Sequence, residues 1–370
     1  MLVWAELAKL SFGSMATAPV RQLRPSDLRG LFAAFEALAS GESVALLGSS
    51  AAAEPECERS VCPPSAEQAW LGLLSSGSTG RPKRIWHAWS ELLRAVRTDV
   101  RTAGWCWASP FMPASFAGVQ IALQAWHSGG DVLQLGHDWA KNWQMLATRQ
   151  PAALSCTPTF LDLMLQGGDP IDWNPLQITL GGEVLRSSAG SRFADRFPAV
   201  RFTVIYASAE FGVLLKTHRL DGWYETSGFA KRPLEWRVTE GLLEVRPPDT
   251  GGWRSTHDRV EVVGSVLRVV GRDDAVANIA GVKVALDDIA SLAEEVKGVR
   301  RAIAYAEDNA VVGQIVGLRF ALDDDCDSNE VQMRLENHLR AHLRKEAWPR
   351  RWELDQVGLG PNAKRLRWGR

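Results

Sequence analysis

Between residues 117 and 206 short apolar runs alternate with helical patterns, and this alternation limits the folds open to the chain. Val132-Leu-Gln-Leu, Ala153-Leu-Ser-Cys, Gln177-Ile-Thr-Leu and Phe202-Thr-Val-Ile-Tyr read as buried strands. Stretches 117–127, 158–166 and 189–196 carry apolar residues at helical spacing between them. Strands separated by helices predict a parallel-leaning α/β sheet. Upstream, helices are expected over 26–40 and from about Trp89 to Arg101, strands at Ser43-Val-Ala-Leu-Leu and Ala69-Trp-Leu-Gly-Leu-Leu, and a small, polar surface loop over 49–67. From 224 to 270 the pattern changes. Glu235-Trp-Arg-Val, Leu242-Leu-Glu-Val, Val260-Glu-Val-Val and Val266-Leu-Arg-Val-Val lie close together and predict an antiparallel β portion. The turn Gly271-Arg-Asp-Asp marks the expected boundary between a large N-terminal α/β domain, 1–271, and a small α+β domain, 272–370. In the latter, strands at Ala302-Ile-Ala-Tyr and Ile315-Val-Gly-Leu-Arg-Phe accompany helices over 286–297 and 328–344. Asp323-Asp-Asp-Cys-Asp lacks the Gly and terminal Glu of a calcium loop and reads as a solvated loop ahead of a helix.

Composition narrows the function. The 42 Lys+Arg against 43 Asp+Glu give a net charge of −1, without the basic excess that phosphate-backbone contacts need, so no nucleic-acid partner is expected. No apolar stretch approaches the roughly 20 residues of a membrane span, and the N-terminal residues include Glu6 and Lys9 rather than the basic-then-apolar order of a secretory signal. Cys57, Cys62, Cys106, Cys156 and Cys326 are odd in number and form no zinc pattern, which points to reduced thiols and a cytoplasmic protein. His87, His127 and His137 have no partner spacing and read as packing or surface residues.

Chemistry concentrates in Ser75-Ser76-Gly77-Ser78-Thr79-Gly80-Arg-Pro-Lys83, which follows an apolar strand. Two glycines let successive backbone N–H groups turn into one concavity, hydroxyls add donors, and Lys83 adds positive charge. That suits a polyphosphate. A solvated Ser/Gly loop has the same composition; the ordered Thr-Gly-Arg-Pro-Lys ending favours the phosphate reading. The spacing is not that of a Walker loop.

The segment resembles the phosphate loop of the adenylate-forming (AMP-binding) superfamily, which includes acyl- and aryl-CoA ligases, non-ribosomal peptide adenylation domains and luciferases. Further motifs follow in family order. Leu180-Gly-Gly182-Glu183 resembles the Gly-Gly-Glu strand end beside adenine, and Tyr206-Ala207-Ser-Ala209-Glu210 resembles Tyr-Gly-x-Thr-Glu. Gly252-Trp-Arg-Ser-Thr-His257-Asp258 resembles Gly-Trp-x-x-Thr-Gly-Asp. Gly271-Arg272-Asp-Asp274 through Gly281 resembles the hinge motif, and Pro361-Asn-Ala-Lys364-Arg-Leu-Arg367 the terminal Asn-Gly-Lys-x-x-Arg. The departures are Ala209 for Thr, His257 for Gly, Asn278 for Lys and Ala363 for Gly; the first subdomain is expected to be largely absent relative to the family.

The resemblance implies an ATP-dependent acid–thiol ligase. Ser75, Ser76, Gly77, Ser78, Thr79, Gly80 and Lys83 would hold the β/γ-phosphates, with Gly182, Glu183 and Tyr206 at adenine. Asp258 and Arg272 would take the ribose, Glu210 the Mg²⁺, and Lys364 would be catalytic. Asp274 would be the hinge and Gly281 the thiol channel to the pantetheine of CoA or an acyl carrier protein. Ser115 occupies the position of a gating His, and Phe111, Met112, Phe116, Ser155, Thr157, Leu180 and Ala207 are pocket candidates. The Phe-containing 111–116 stretch suggests a small, flat acid such as a hydroxybenzoate. A second reading, resting on the departures, is a degenerate adenylating fold with a binding or scaffold role.

Overall fold

The structure, a computed structural model, describes residues 21–23, 28–46, 67–75, 83–97, 99–166, 172–231, 234–247, 252–273, 276–279, 282–309, 313–323 and 326–354. They form two compact units. The described residues up to Gly182, with Phe193–Leu214, make one; Glu183–Arg192 and those from Leu215 onward make the other.

In the first unit β1 (Arg21–Leu23), β2 (Val44–Leu46), β3 (Trp70–Ser75) and β4 (Lys83–Ala88) form a four-stranded sheet in that order, parallel as far as β3 and antiparallel from β3 to β4. α1 (Leu28–Ala39) buries Leu31, Ala34, Phe35 and Leu38, spaced three and four apart. It ends in a Schellman cap, with Gly41 at φ 95° and the N–H groups of Glu42 and Gly41 donating to the carbonyls of Ala37 and Leu38.

The second sheet runs β10-β9-β8-β7-β5-β6. Its strands β5 (Cys106–Ser109), β6 (Asp131–Gln134), β7 (Ala153–Cys156), β8 (Gln177–Gly181) and β9 (Arg201–Ser208) are parallel, as the alternation predicts. β10 (Gly212–Thr217) leads into the second unit. The helix expected from Trp89 to Arg101 is shorter: α2 spans Trp89–Arg94, and a separate 3₁₀ turn covers Val100–Thr102. Gln124 of α3 (Phe116–Ser128) breaks it. Its side chain accepts from the Arg97 N–H at 2.7 Å and donates to the Arg97 carbonyl at 3.0 Å, taking both backbone groups a continuing helix would use. β4 was not anticipated as a strand at all.

α3 is apolar on two sides. Val119, Ala122 and Leu123 pack with α1, β2 and β3, while Ile121 and Ala125 pack with Trp107, Val132 and Ala153. The chain's next helices are α4 (Trp139–Arg149), α5 (Pro158–Gln166) and α6 (Ser187–Arg196). Indole N–H groups close off core carbonyls: Trp143 donates to Met164 and Trp173 to Pro151, each at 3.0 Å. At the start of α3, Gly118 lies against the 112–113 backbone, and a Cβ there would fall 2.0 Å from the Met112 carbonyl oxygen. Gly118→Ala is therefore expected to cost about 1–3 kcal/mol through overpacking, read as a lowered thermal midpoint. An unchanged midpoint would show that the helix start gives way freely.

In the second unit β11 (Trp223–Glu225), β12 (Glu235–Thr239), β13 (Leu242–Arg246), β14 (Arg254–Val263) and β15 (Val266–Arg272) form the antiparallel sheet expected from their spacing, in the order β11-β15-β14-β13-β12. β15 carries the chain across the expected 271/272 boundary. A hairpin of β16 (Val276–Ile279) and β17 (Val282–Ala285) follows, then α7 (Leu286–Glu294). β18 (Val299–Asn309), β19 (Gly313–Leu322) and β20 (Arg351–Leu354) form a sheet with α8 (Ser328–His342), and Ile289, Ala293, Leu318, Phe320, Val331 and Leu335 meet in its core. Asp327, from the acidic loop, caps α8 by accepting from Asn329 and Glu330 N–H. Among the described residues no helix is long and apolar enough to cross a membrane, and no group of three or more His, Cys, Asp or Glu is placed to hold a metal ion.

Candidate functional site

Residues 76–82 of the phosphate-loop motif lie outside the described residues, but its flanks are defined. β3 ends at Ser75, β4 begins at Lys83, and the two are cross-strand partners. The motif thus joins the ends of an antiparallel pair. β9 delivers Tyr206, which is 8% exposed, and half-buried Ala207. A turn follows in which the Phe211 N–H donates to Ser208 Oγ at 3.1 Å and Gly212 takes φ 67°, leaving Glu210 exposed at its tip.

His87 on β4 is buried beside this turn. Its ring lies 5.1 Å from that of Phe116. Burial pushes its pKa down to about 4, against the opposing pull of the Glu210 carboxylate and a hydrogen bond to the Ala209 backbone, so the ring is neutral near pH 7. It belongs to the packing class expected of it, but its neighbours are the metal-turn and acid-wall candidates, which the sequence reading missed. The one available signal was the polar–apolar alternation of Lys83-Arg-Ile-Trp-His-Ala.

The acid-pocket candidates divide. The hydroxyl of Ser115 caps α3, accepting from Gly118 N–H at 3.1 Å and donating to the Met112 carbonyl at 2.7 Å. Phe111 is buried, with its N–H on Ser109 Oγ, and Thr157 Oγ1 accepts from Phe160 N–H at the start of α5. Parallel register aligns Ser155 with Thr179 and Thr203, but Leu180 with Cys156 and Val204. Adjacent strand residues face opposite ways, so Ser155 and Leu180 lie on opposite faces of the sheet. Ala207, by alternation along β9, shares the Ser155 face, where Thr179 and Thr203 were not foreseen.

In the second unit Asp258 and Arg272 are cross-strand partners on β14 and β15, and Arg272 Nη1 lies 3.4 Å from Asp258 Oδ1. Asp258 is 7% exposed, and its own N–H donates to Thr256 Oγ1 at 3.2 Å. Two residues that sequence places fourteen positions apart are thus brought together. His257 takes φ 61°, in the left-handed region that a non-glycine residue enters at a cost of about 1–2 kcal/mol, which is a physical reason for glycine in that motif. Its ring nitrogen lies 3.1 Å from Asp273 Oδ1, an exposed pair of little worth. His257→Gly is expected to raise stability by up to about 1 kcal/mol, as a higher thermal midpoint; a lower one would mean that the Asp273 contact outweighs the strain. Gly182, at φ 82°, closes the first unit's segment and Glu183 opens the second's. Asp274, Gly281 and Lys364 lie outside the described residues.

The family described as AMP-binding enzyme matches residues 26–252. The chain belongs to this family. Among solved structures it is similar to Escherichia coli MenE, a variant with bound OSB-AMS, at 15% identity and a TM-score of 0.67, covering 95% of this chain and 85% of that one. It is similar to ATP-bound MatB from Rhodopseudomonas palustris at 18% and 0.64, covering 94% and 77%. For the anthranilate CoA ligase AuaEII in complex with anthranoyl-AMP the values are 15% and 0.62, with 94% and 77% covered. These likenesses establish the layered α/β adenylate-forming fold. Comparison with curated protein sequences gives no match.

Proposed function

We propose that this AMP-binding enzyme activates a small aromatic carboxylic acid with ATP and passes the acyl group to a pantetheine thiol, of CoA or of an acyl carrier protein. The carboxylate oxygen attacks the α-phosphorus, the bond to pyrophosphate breaks, and an acyl-adenylate forms. Both reactants are anions, so the protein's task is alignment and charge compensation. The 75–83 segment grips the β/γ-phosphates. Glu210, exposed on a turn at the end of β9, is a hard oxygen ligand suited to Mg²⁺, which would offset charge on the phosphates. Lys364 bridges carboxylate and phosphate as charge builds. In the second step the domain from residue 272 pivots at Asp274, and Gly281 leaves room for the thiol arm.

The observation that carries the nucleotide half is the pairing of Asp258 with Arg272, since a buried carboxylate beside a guanidinium offers a ribose diol both acceptor and donor. The aryl assignment is supported by Phe111 and Phe116 near the start of α3 and by the aryl adenylate named for AuaEII. The test is mass spectrometry of products after incubation with ATP, Mg²⁺ and a panel of hydroxybenzoates, aminobenzoates and aliphatic acids, with and without CoA. AMP and an aryl thioester are expected. Turnover of aliphatic acids alone would overturn the aryl assignment; bound ATP with no product from any acid would favour the scaffold reading.

A further inference from the structure

An enclosed imidazole calls for a reason beyond packing. His87 is 8% exposed, and its Nε2 is shut away from solvent with no hydrogen-bond partner among the described residues. A phenyl or leucyl group could fill the space beside Phe116 without enclosing an unpaired polar atom, which is destabilising. What an apolar side chain could not supply is the bond to the Ala209 backbone. With no partner for Nε2 among the described residues, Nδ1 is the nitrogen left to meet the Ala209 backbone, and as an N–H it would donate to the carbonyl there. Ala209 immediately precedes Glu210 in the turn after β9, and His87 lies four residues beyond Lys83 on the strand that leaves the phosphate-loop motif. All of these residues belong to the first unit.

We propose that His87 is a positioning residue for Glu210: its Nδ1–H, donated to the Ala209 carbonyl, holds the turn that presents the Glu210 carboxylate and ties that turn to β4 and to Phe116. This rests on the reading of Glu210 as the Mg²⁺-holding carboxylate. The imidazole makes no contact with the reacting groups. It sets where the carboxylate stands, so it governs the use of Mg²⁺ rather than the fit of the nucleotide itself.

The test is ATP binding by the full chain, measured by titration calorimetry over a range of free Mg²⁺ and in EDTA. His87→Phe keeps the ring against Phe116 and removes the donor. It is expected to raise the Mg²⁺ concentration at half-effect about five- to tenfold, the factor carried by one hydrogen bond, with ATP affinity in EDTA unchanged. His87→Asn, whose amide N–H reaches the Nδ1 position, is expected to restore the wild-type Mg²⁺ response; His87→Gln, which reaches towards Nε2, is not. Glu210→Gln is measured alongside and should largely remove the Mg²⁺ response. A Mg²⁺ response lost in Glu210→Gln but intact in His87→Phe overturns the positioning role alone. An unaltered response in Glu210→Gln overturns both readings. Equal shifts in His87→Phe and His87→Asn reduce His87 to packing. Should His87→Phe fail to fold by circular dichroism, the Asn and Gln variants decide the matter between them.

Discussion

Lys364→Ala is expected to slow acid-dependent pyrophosphate release by about 10²–10³, the range seen when one preorganised electrostatic donor is removed from a transition state. ATP binding should be spared. The reason lies in where charge develops. In the ground state the acid and the triphosphate are separate anions, and in the proposed scheme the ribose pair and the phosphate-binding groups would hold the nucleotide without Lys364. As the carboxylate oxygen closes on phosphorus, negative charge gathers at a point that neither of these covers. An ammonium on a flexible stem can enter for that step and leave for the next, which a guanidinium fork does less readily. The effect therefore belongs in kcat and kcat/KM together, with little change in ATP affinity. Wild-type turnover in this variant would remove Lys364 from the chemistry.

Asp258→Ala should produce the largest effect on nucleotide affinity. A hydrogen bond to a charged group is worth about 1.5–3 kcal/mol, so loss of the carboxylate is expected to weaken ATP binding by roughly 10- to 100-fold. The geometry sharpens this. Asp258 is almost fully buried and faces Arg272 across the β14–β15 ladder, so its removal would withdraw the proposed ribose acceptor and also the carboxylate beside the Arg272 guanidinium. KM for ATP should rise while KM for the acid stays near its wild-type value. Asp258→Asn preserves the shape but halves the acceptor capacity, and should fall between the two. An Asp258→Ala protein that binds ATP normally would make the pair a structural device of the sheet and nothing more.

Much of this was legible in the sequence because it rested on local pattern. The parallel sheet follows from strand–helix alternation, and the β12–β15 region from closely spaced runs of Val and Leu. The same logic failed where distant residues decide local structure. Nothing around Arg97 forbids helix; Gln124, on another helix, takes its backbone groups. β4 was hidden because its six residues mix Lys, Arg and His with Ile and Trp, so a cross-strand partner rather than an apolar run defines it. Asp258 and Arg272 were each readable from a motif, but their pairing depends on the β14–β15 register. Ser155 and Leu180 both stand near strand ends, and only the parallel register separates them. His87 carried no partner spacing because its partners, Phe116 and Ala209, are distant in the chain.

The most direct test of the central claim is the exchange of labelled pyrophosphate into ATP in the presence of Mg²⁺ and an aromatic acid, without any thiol acceptor. Reversible formation of an acyl-adenylate predicts exchange that depends on the acid and disappears in Lys364→Ala. A folded protein that binds ATP yet exchanges no label with any acid offered would contradict the account.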